Sequence, residues 1–242
     1  MILTFCPVPG SKTNLVITIQ NDTYEGEGKL SAVEKGAKEF DSLLQRDFYY
    51  VSPSDVSFGK NLFVNIKTGT VLLKKLGGVI KRWQTKGETL GRLVLYYHGH
   101  GVQVEGHPCL LTTTGEAVPM EELINKVVDL TAADRYYIIN DCCANKEAFD
   151  DEALKERVRE AHAVVKNANI VKMKAVPEGK EADAEEGKTL TFALVSILEW
   201  EGRGVRLDEL QERLRKEQRK QGSLNVPSIE VSDELAKETF PL

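Results

Sequence analysis

Two short runs constrain this chain more than anything else in it. "LVLYY", residues 93–97, and "YYII", residues 136–139, are apolar or aromatic at every position. A strand with one face in water alternates apolar and polar residues, whereas an unbroken run needs cover on both faces. The central strands of a sheet packed between two layers of helices meet that need. Four further β-rich runs, "LVITIQ", "FYYV", "IVKMKA" and "IEV", supply its neighbours, and the last follows Pro227 and reads as an edge.

Helical patterns lie between these runs. Val33, Ala37, Phe40 and Leu44 recur at spacings of one helical turn, as do Leu72, Leu76, Val79, Ile80 and Trp83, although Gly77 and Gly78 weaken the second set. Met120, Leu123, Ile124, Val127 and Val128 follow Pro119, a favoured first helical residue. Phe149, Ala153, Leu154 and Val158 mark a fourth helix, and Leu207, Leu210 and Leu214 a sixth. The fifth, "TFALVSILEW", is apolar on nearly all sides and is expected to be buried. Strands alternating with helices predict a mostly parallel sheet with helices on both faces, and residues 1–242 are expected to form one domain.

Composition narrows the function. The 242 residues are 41% hydrophobic and carry a net charge of −5, so nothing points to a nucleic-acid partner. The basic stretch "RLRKEQRK" is balanced by preceding acids and reads as a solvated helix face. No apolar run reaches the roughly 18 residues a membrane span needs, and "MILTFCPVPGSK" has no charged region ahead of its apolar stretch, so neither membrane nor signal peptide is expected. Four cysteines, Cys6, Cys109, Cys142 and Cys143, are too few and too irregular for a disulfide framework, which favours a reducing, cytoplasmic setting.

In parallel α/β sheets, ligands bind beyond the carboxyl ends of the strands. The "LVLYY" run leads into "HGHG" (98–101), and "YYII" leads into "NDCCAN" (140–145). If the two strands are neighbours, His98, His100, Cys142 and Cys143 converge on one rim. A histidine there can activate a thiol, taking its proton and returning it to a leaving group. Gly101 leaves a backbone N–H able to face a ligand.

A strand ending in "HGHGVQ" followed by one ending in "DCCAN" resembles the caspase-like cysteine peptidases, and among them the metacaspases. The resemblance runs over nearly the whole chain, including "LVITIQNDTY", "AVPEGKEADAEEGKTLTFALVSILEW", "VRLDELQERL" and the terminal "FPL". It implies a three-layer α/β/α caspase-like sandwich with a mostly parallel six-stranded sheet. It also implies an endopeptidase acting on protein or peptide substrates, with His100 as the general base and Cys143 as the nucleophile. The oxyanion hole would be made by the N–H groups of Gly101 and Cys143. Asp141 would line the pocket for a basic P1 side chain, arginine or lysine. No cofactor is required for the chemistry. Calcium is a possible activator in this family, with Asp150 and Asp151 as its candidate ligands. The chain is expected to act intact, because little sequence separates the cysteine strand from the next.

The sequence departs from the family pattern at three places. His98 stands where serine is usual, Ala144 and Asn145 follow the nucleophile in place of histidine and serine, and Gly36 aligns with a second pocket acid. These keep a second function open, a pseudoenzyme that regulates through protein interaction. Alternatives also hold for single residues. Cys142 reads as core. Asp141 suits a cap on the following helix as well as a pocket wall. His98 and His100, with Cys109 or Cys143, have the spacing of a zinc site. Asp150 and Asp151 suit a helix N-terminus without any ion, and His107 reads as a solvent-facing hairpin residue.

Overall fold

The computed structural model describes residues 12–26, 29–51, 63–84, 90–142, 151–164, 169–176, 187–223 and 225–241. Its main sheet is built on β1 (Thr13–Gln20), β4 (Leu90–His98), β8 (Arg135–Asp141) and β9 (Ile170–Lys174), all parallel. β11 (Ser228–Glu230) closes one edge antiparallel to β9. The other edge is shared by two short pieces along β1, β2 (Tyr50–Val51) beside its start and β3 (Phe63–Val64) beside its end. The sheet therefore has seven strands among the described residues where six were expected, because two short segments share the edge along β1. The "FYYV" run contributes only two residues to it, because Phe48 ends the preceding helix and Tyr49 turns with φ 57°.

All six expected helices are present: α1 (Ser31–Asp47), α2 (Gly69–Gln84), α3 (Met120–Leu130), α4 (Glu152–Val164), α5 (Leu190–Glu201) and α6 (Leu207–Lys220). The two-faced burial inferred from the apolar runs is met in full. Val94, Tyr96, Tyr137 and Ile139 point into a core formed with α1, α5 and α6, while Leu93, Leu95, Tyr97, Tyr136 and Ile138 point into one formed with α2 and α3. α5 is buried over most of its length, but its end departs from the expectation: Trp200 is 88% exposed.

Of the two smaller sheets among the described residues, the sequence reading anticipates only a hairpin at His107. β5 (Gly101–Val104), β6 (His107–Leu111) and β7 (Ala117–Pro119) form an antiparallel meander directly after β4. Its first turn, Glu105–Gly106, has positive φ at both residues, the two-residue turn whose twist suits a hairpin. β10 (Val205–Arg206) pairs with β12 (Thr239–Phe240) and returns the terminal segment to the core, where Phe240 packs on Tyr137.

Phe40 is fully buried on α1 and meets Tyr96 of β4 edge-on at 5.0 Å. Phe40→Ala is expected to cost about 3–5 kcal/mol of unfolding free energy in urea denaturation, as truncating a fully packed aromatic does. A loss under ~1 kcal/mol would mean that α1 is not held to the sheet through this contact.

Candidate active site

The strand pairing determines what meets at the rim. β1, β4 and β8 lie side by side, with Gln20 level with His98 and His98 level with Asp141. Level residues in parallel strands project to the same face, here the one covered by α1 and α5. The adjacency inferred for the "LVLYY" and "YYII" strands is therefore what the fold contains.

Asp141 is 3% exposed, so its oxygens need donors from protein. It accepts the backbone N–H groups of Leu190 (3.2 Å) and Thr191 (2.9 Å) and the Thr191 hydroxyl (2.5 Å). These belong to the start of α5, whose own N-cap residue, Thr189, makes no side-chain cap. Asp141 thus caps a helix, though not the following one. The end of β8 abuts α5, and the carboxylate meets the orphan N–H groups and positive end of that helix.

His98 closes the arrangement. Its Nδ1 lies 2.8 Å from the Tyr96 hydroxyl, which lies 2.5 Å from Thr191 Oγ1. One hydrogen per hydroxyl gives the chain its direction: Thr191 donates to Asp141, Tyr96 to Thr191, and His98 Nδ1–H to Tyr96. His98 Nε2 then faces Asp141 Oδ2 at 3.5 Å. Burial lowers the His98 pKa, against the opposing pull of Asp141, and so favours the neutral ring. Burial also holds the Tyr96 phenol well above its ordinary value, with the Asp141 charge adding to the shift. Gly36 of α1 leaves room for the ring, since a Cβ there would sit 3.2 Å from His98 Cε1 and 3.3 Å from Thr191 Cγ2. Gly36 and Asp141, the two positions that the resemblance assigns to one pocket, are brought together, with the His98 imidazole between them.

His100 is held separately. Its N–H donates to the Tyr24 hydroxyl at 2.7 Å, its carbonyl accepts from Tyr97 Oη (2.5 Å) and Leu111 N (2.9 Å), and its half-buried ring lies 4.6 Å from that of Tyr24. Gly99 makes this possible, because a Cβ would lie 2.6 Å from Tyr24 Oη and 2.7 Å from Tyr97 Oη. His98 and His100 therefore have different partners and form no three-ligand metal cluster among the described residues. Gly101 opens β5 opposite Leu110.

Cys142 is 5% exposed in the α2/α3-side core, 3.0 Å from Asn140 Oδ1. Cys109 is also buried, and burial pushes its thiol up to about 12. Cys143, Ala144, Asn145 and Asp150 lie outside the described residues. Asp151 caps α4, its Oδ1 accepting the N–H groups of Ala153 (2.9 Å) and Leu154 (3.2 Å), as a helix-start aspartate does without an ion.

Sequence reading missed Tyr24, Tyr96 and Thr191. Tyr96 was within reach, since it lies two residues before His98 and so points to the same face. Thr191 was not, because its role depends on α5 folding against the end of β8.

A family model described as "Caspase domain" matches residues 13–238, and the chain belongs to this family of cysteine peptidases. Among solved structures, protein GSU0716 from Geobacter sulfurreducens is similar at a TM-score of 0.63 and 12% identity, covering 94% of this chain and 97% of that one. Caspase-1 from Spodoptera frugiperda is similar at a TM-score of 0.62 and 11% identity, covering 91% and 86%. These likenesses establish the fold. No curated protein matches the sequence. No helix among the described residues is long and apolar enough to cross a membrane.

Because the folded-state pKa of His98 is depressed, the unfolded chain takes up a proton at a pH where the folded chain does not. Stability is then expected to fall as pH drops below about 6.5, by up to ~1.4 kcal/mol per pH unit from this group, until the folded ring titrates. Urea denaturation between pH 8 and pH 5 should show the loss in wild type and a smaller one in His98→Ser. An unchanged slope in the variant would remove His98 as the cause.

Proposed function

We propose that this protein is a metacaspase-type cysteine endopeptidase of the cytoplasm whose dyad is His100 and Cys143. The observation that carries the reading is the pairing of β4 with β8. His98 and Asp141 are the last level pair, and in sequence His100 and Cys143 each follow two residues after them. Cys143 attacks the scissile carbonyl as thiolate, and His100 takes the thiol proton and delivers it to the departing amine. The N–H groups of Gly101 and Cys143 receive the oxyanion. Water then hydrolyses the acyl-enzyme with His100 as base.

Asp141 selects arginine or lysine at P1 through a charge-assisted contact, and His98 regulates access to it. With the imidazole 3.5 Å from the carboxylate and Gly36 behind the ring, a guanidinium must displace His98 to reach the acid. The same contact supports a second reading, the pseudoenzyme, in which His98 seals the pocket for good.

The deciding measurement is cleavage of fluorogenic peptides carrying Arg, Lys or Asp at P1, with and without calcium. Wild type should cleave after Arg or Lys. Cys143→Ala and His100→Ala should each lose about 10³-fold or more in kcat/KM, whereas Cys142→Ala should stay within a few-fold. His98→Ser should raise kcat/KM on the basic substrates by about tenfold, the equivalent of ~1.4 kcal/mol of displaced contact. Cleavage after Asp would keep the dyad and remove the role given to Asp141. No cleavage by wild type or His98→Ser, both folded, would leave the pseudoenzyme.

A further inference from the structure

Away from the rim, three side chains from three elements converge: His107 at the start of β6, Glu121 in the first turn of α3, and His162 in the last turn of α4. A carboxylate oxygen of Glu121 and one ring nitrogen from each histidine all lie within 4.8 Å of one another. The two imidazoles lie tilted against each other at a centroid distance of 4.2 Å. The hairpin residue read as solvent-facing is thus half-buried against a second histidine.

Glu121 makes the cluster more than a chance contact. It is only 4% exposed, and its Oε2 is buried with no hydrogen-bond partner. Lys172 Nζ approaches the other oxygen, Oε1, but at 3.7 Å it is beyond hydrogen-bond reach. An unsatisfied buried carboxylate oxygen is costly, and folded proteins keep such groups where something meets them. The neighbouring charges are occupied elsewhere, with Arg157 on Glu122 at 2.8 Å and Arg159 on Glu105 at 2.5 Å.

We propose that His107, Glu121 and His162 form a binding site for a divalent transition ion of the zinc class. Two imidazole nitrogens and one carboxylate oxygen are a donor set that zinc accepts, with water in the fourth position. Calcium and magnesium prefer all-oxygen shells. Zinc–ligand bonds of about 2.0–2.2 Å place tetrahedral donors ~3.4 Å apart, so the cluster needs to close by roughly 1.4 Å at most on binding. His162 is exposed and free to move the furthest, while Glu121 is held by the helix start. The Asn125 side chain donates to Ala161 O at 2.7 Å and keeps α3 and α4 together beneath the site. The bound ion joins the tip of the β5–β6 hairpin to both helices.

The test uses the full chain carrying Cys143→Ala, so that the thiol of the proposed dyad does not itself bind metal. After chelator treatment and dialysis, zinc is titrated calorimetrically and bound metal is measured by elemental analysis. One equivalent is expected, with affinity at least tenfold weaker in His162→Ala and in Glu121→Gln. Thermal unfolding should shift up by about 5 °C at zinc concentrations a hundredfold above Kd, and not in those variants. His162 is a surface residue, so its variant stays folded, and circular dichroism checks this. Calcium should neither bind here nor compete. No stoichiometric zinc, or one equivalent that persists in His162→Ala and Glu121→Gln, would overturn the proposal. So would a site lost only in a His100 variant. None of these results depends on peptide cleavage, so the site and the proposed peptidase stand or fall separately.

Discussion

Asp141 sits at the end of a central strand with almost no access to water, and a carboxylate in that place must be met by donors or not be there. Three donors meet it, two backbone N–H groups and a hydroxyl from the start of α5, and the neutral ring of His98 from β4 packs beside it. This interaction ties the second strand of the proposed dyad to the helix that covers one face of the sheet. Without Asp141, α5 would begin with its N–H groups unmet, since Thr189 does not cap it. Gln20, His98 and Asp141 lie level on three adjacent strands, so the contact forms at the shared end of the sheet.

The layers were legible because their signals are local. The apolar runs at 93–97 and 136–139 and the helical spacings each report burial within a few residues of chain, and all six helices were found. What escaped was either too short to carry a period, such as β3, β10 and β12, or dependent on contacts distant in sequence. The hairpin at His107 was legible, but the full β5–β6–β7 meander was not, although Glu105–Gly106 offered a turn signal. At the site, the neighbours of the "HGHG" and "DCCAN" stretches could be inferred, yet what each side chain does could not. His98 and His100 are two apart, and alternation along a strand would give them one face. Gly99 ends that regularity by letting the chain press against the hydroxyls of Tyr24 and Tyr97, so the two rings part.

His98 and Gly36 make sense together. A larger residue at 36 would meet the imidazole, and a smaller one at 98 would leave Asp141 and Tyr96 facing a void. The two departures from the family pattern are thus complementary in shape. Under the proposed basic P1 preference, an entering side chain would meet one acid in place of two, already engaged by α5 and faced by a neutral ring. Such a pocket would favour substrates able to offset the cost of moving the ring, so discrimination would be bound up with a conformational step as well as with charge.

The hairpin after β4 links the rim to the rest of the molecule. Its base is fixed to the candidate base residue, because Leu111 N and Tyr97 Oη both bind the His100 carbonyl. Its tip carries His107, beyond the four residues of β5, a span of about 13 Å at strand rise. A two-stranded element alone is marginal in water, and this one gains order from a third strand and from Val102, Val104 and Cys109 packing on Leu154 and Val158 of α4. An ion at the tip would therefore act on the same rigid body that positions His100. Its effect would be to narrow the motion of that body, with no contact to substrate, and the size of the effect would follow from how much of the hairpin's order α4 already supplies.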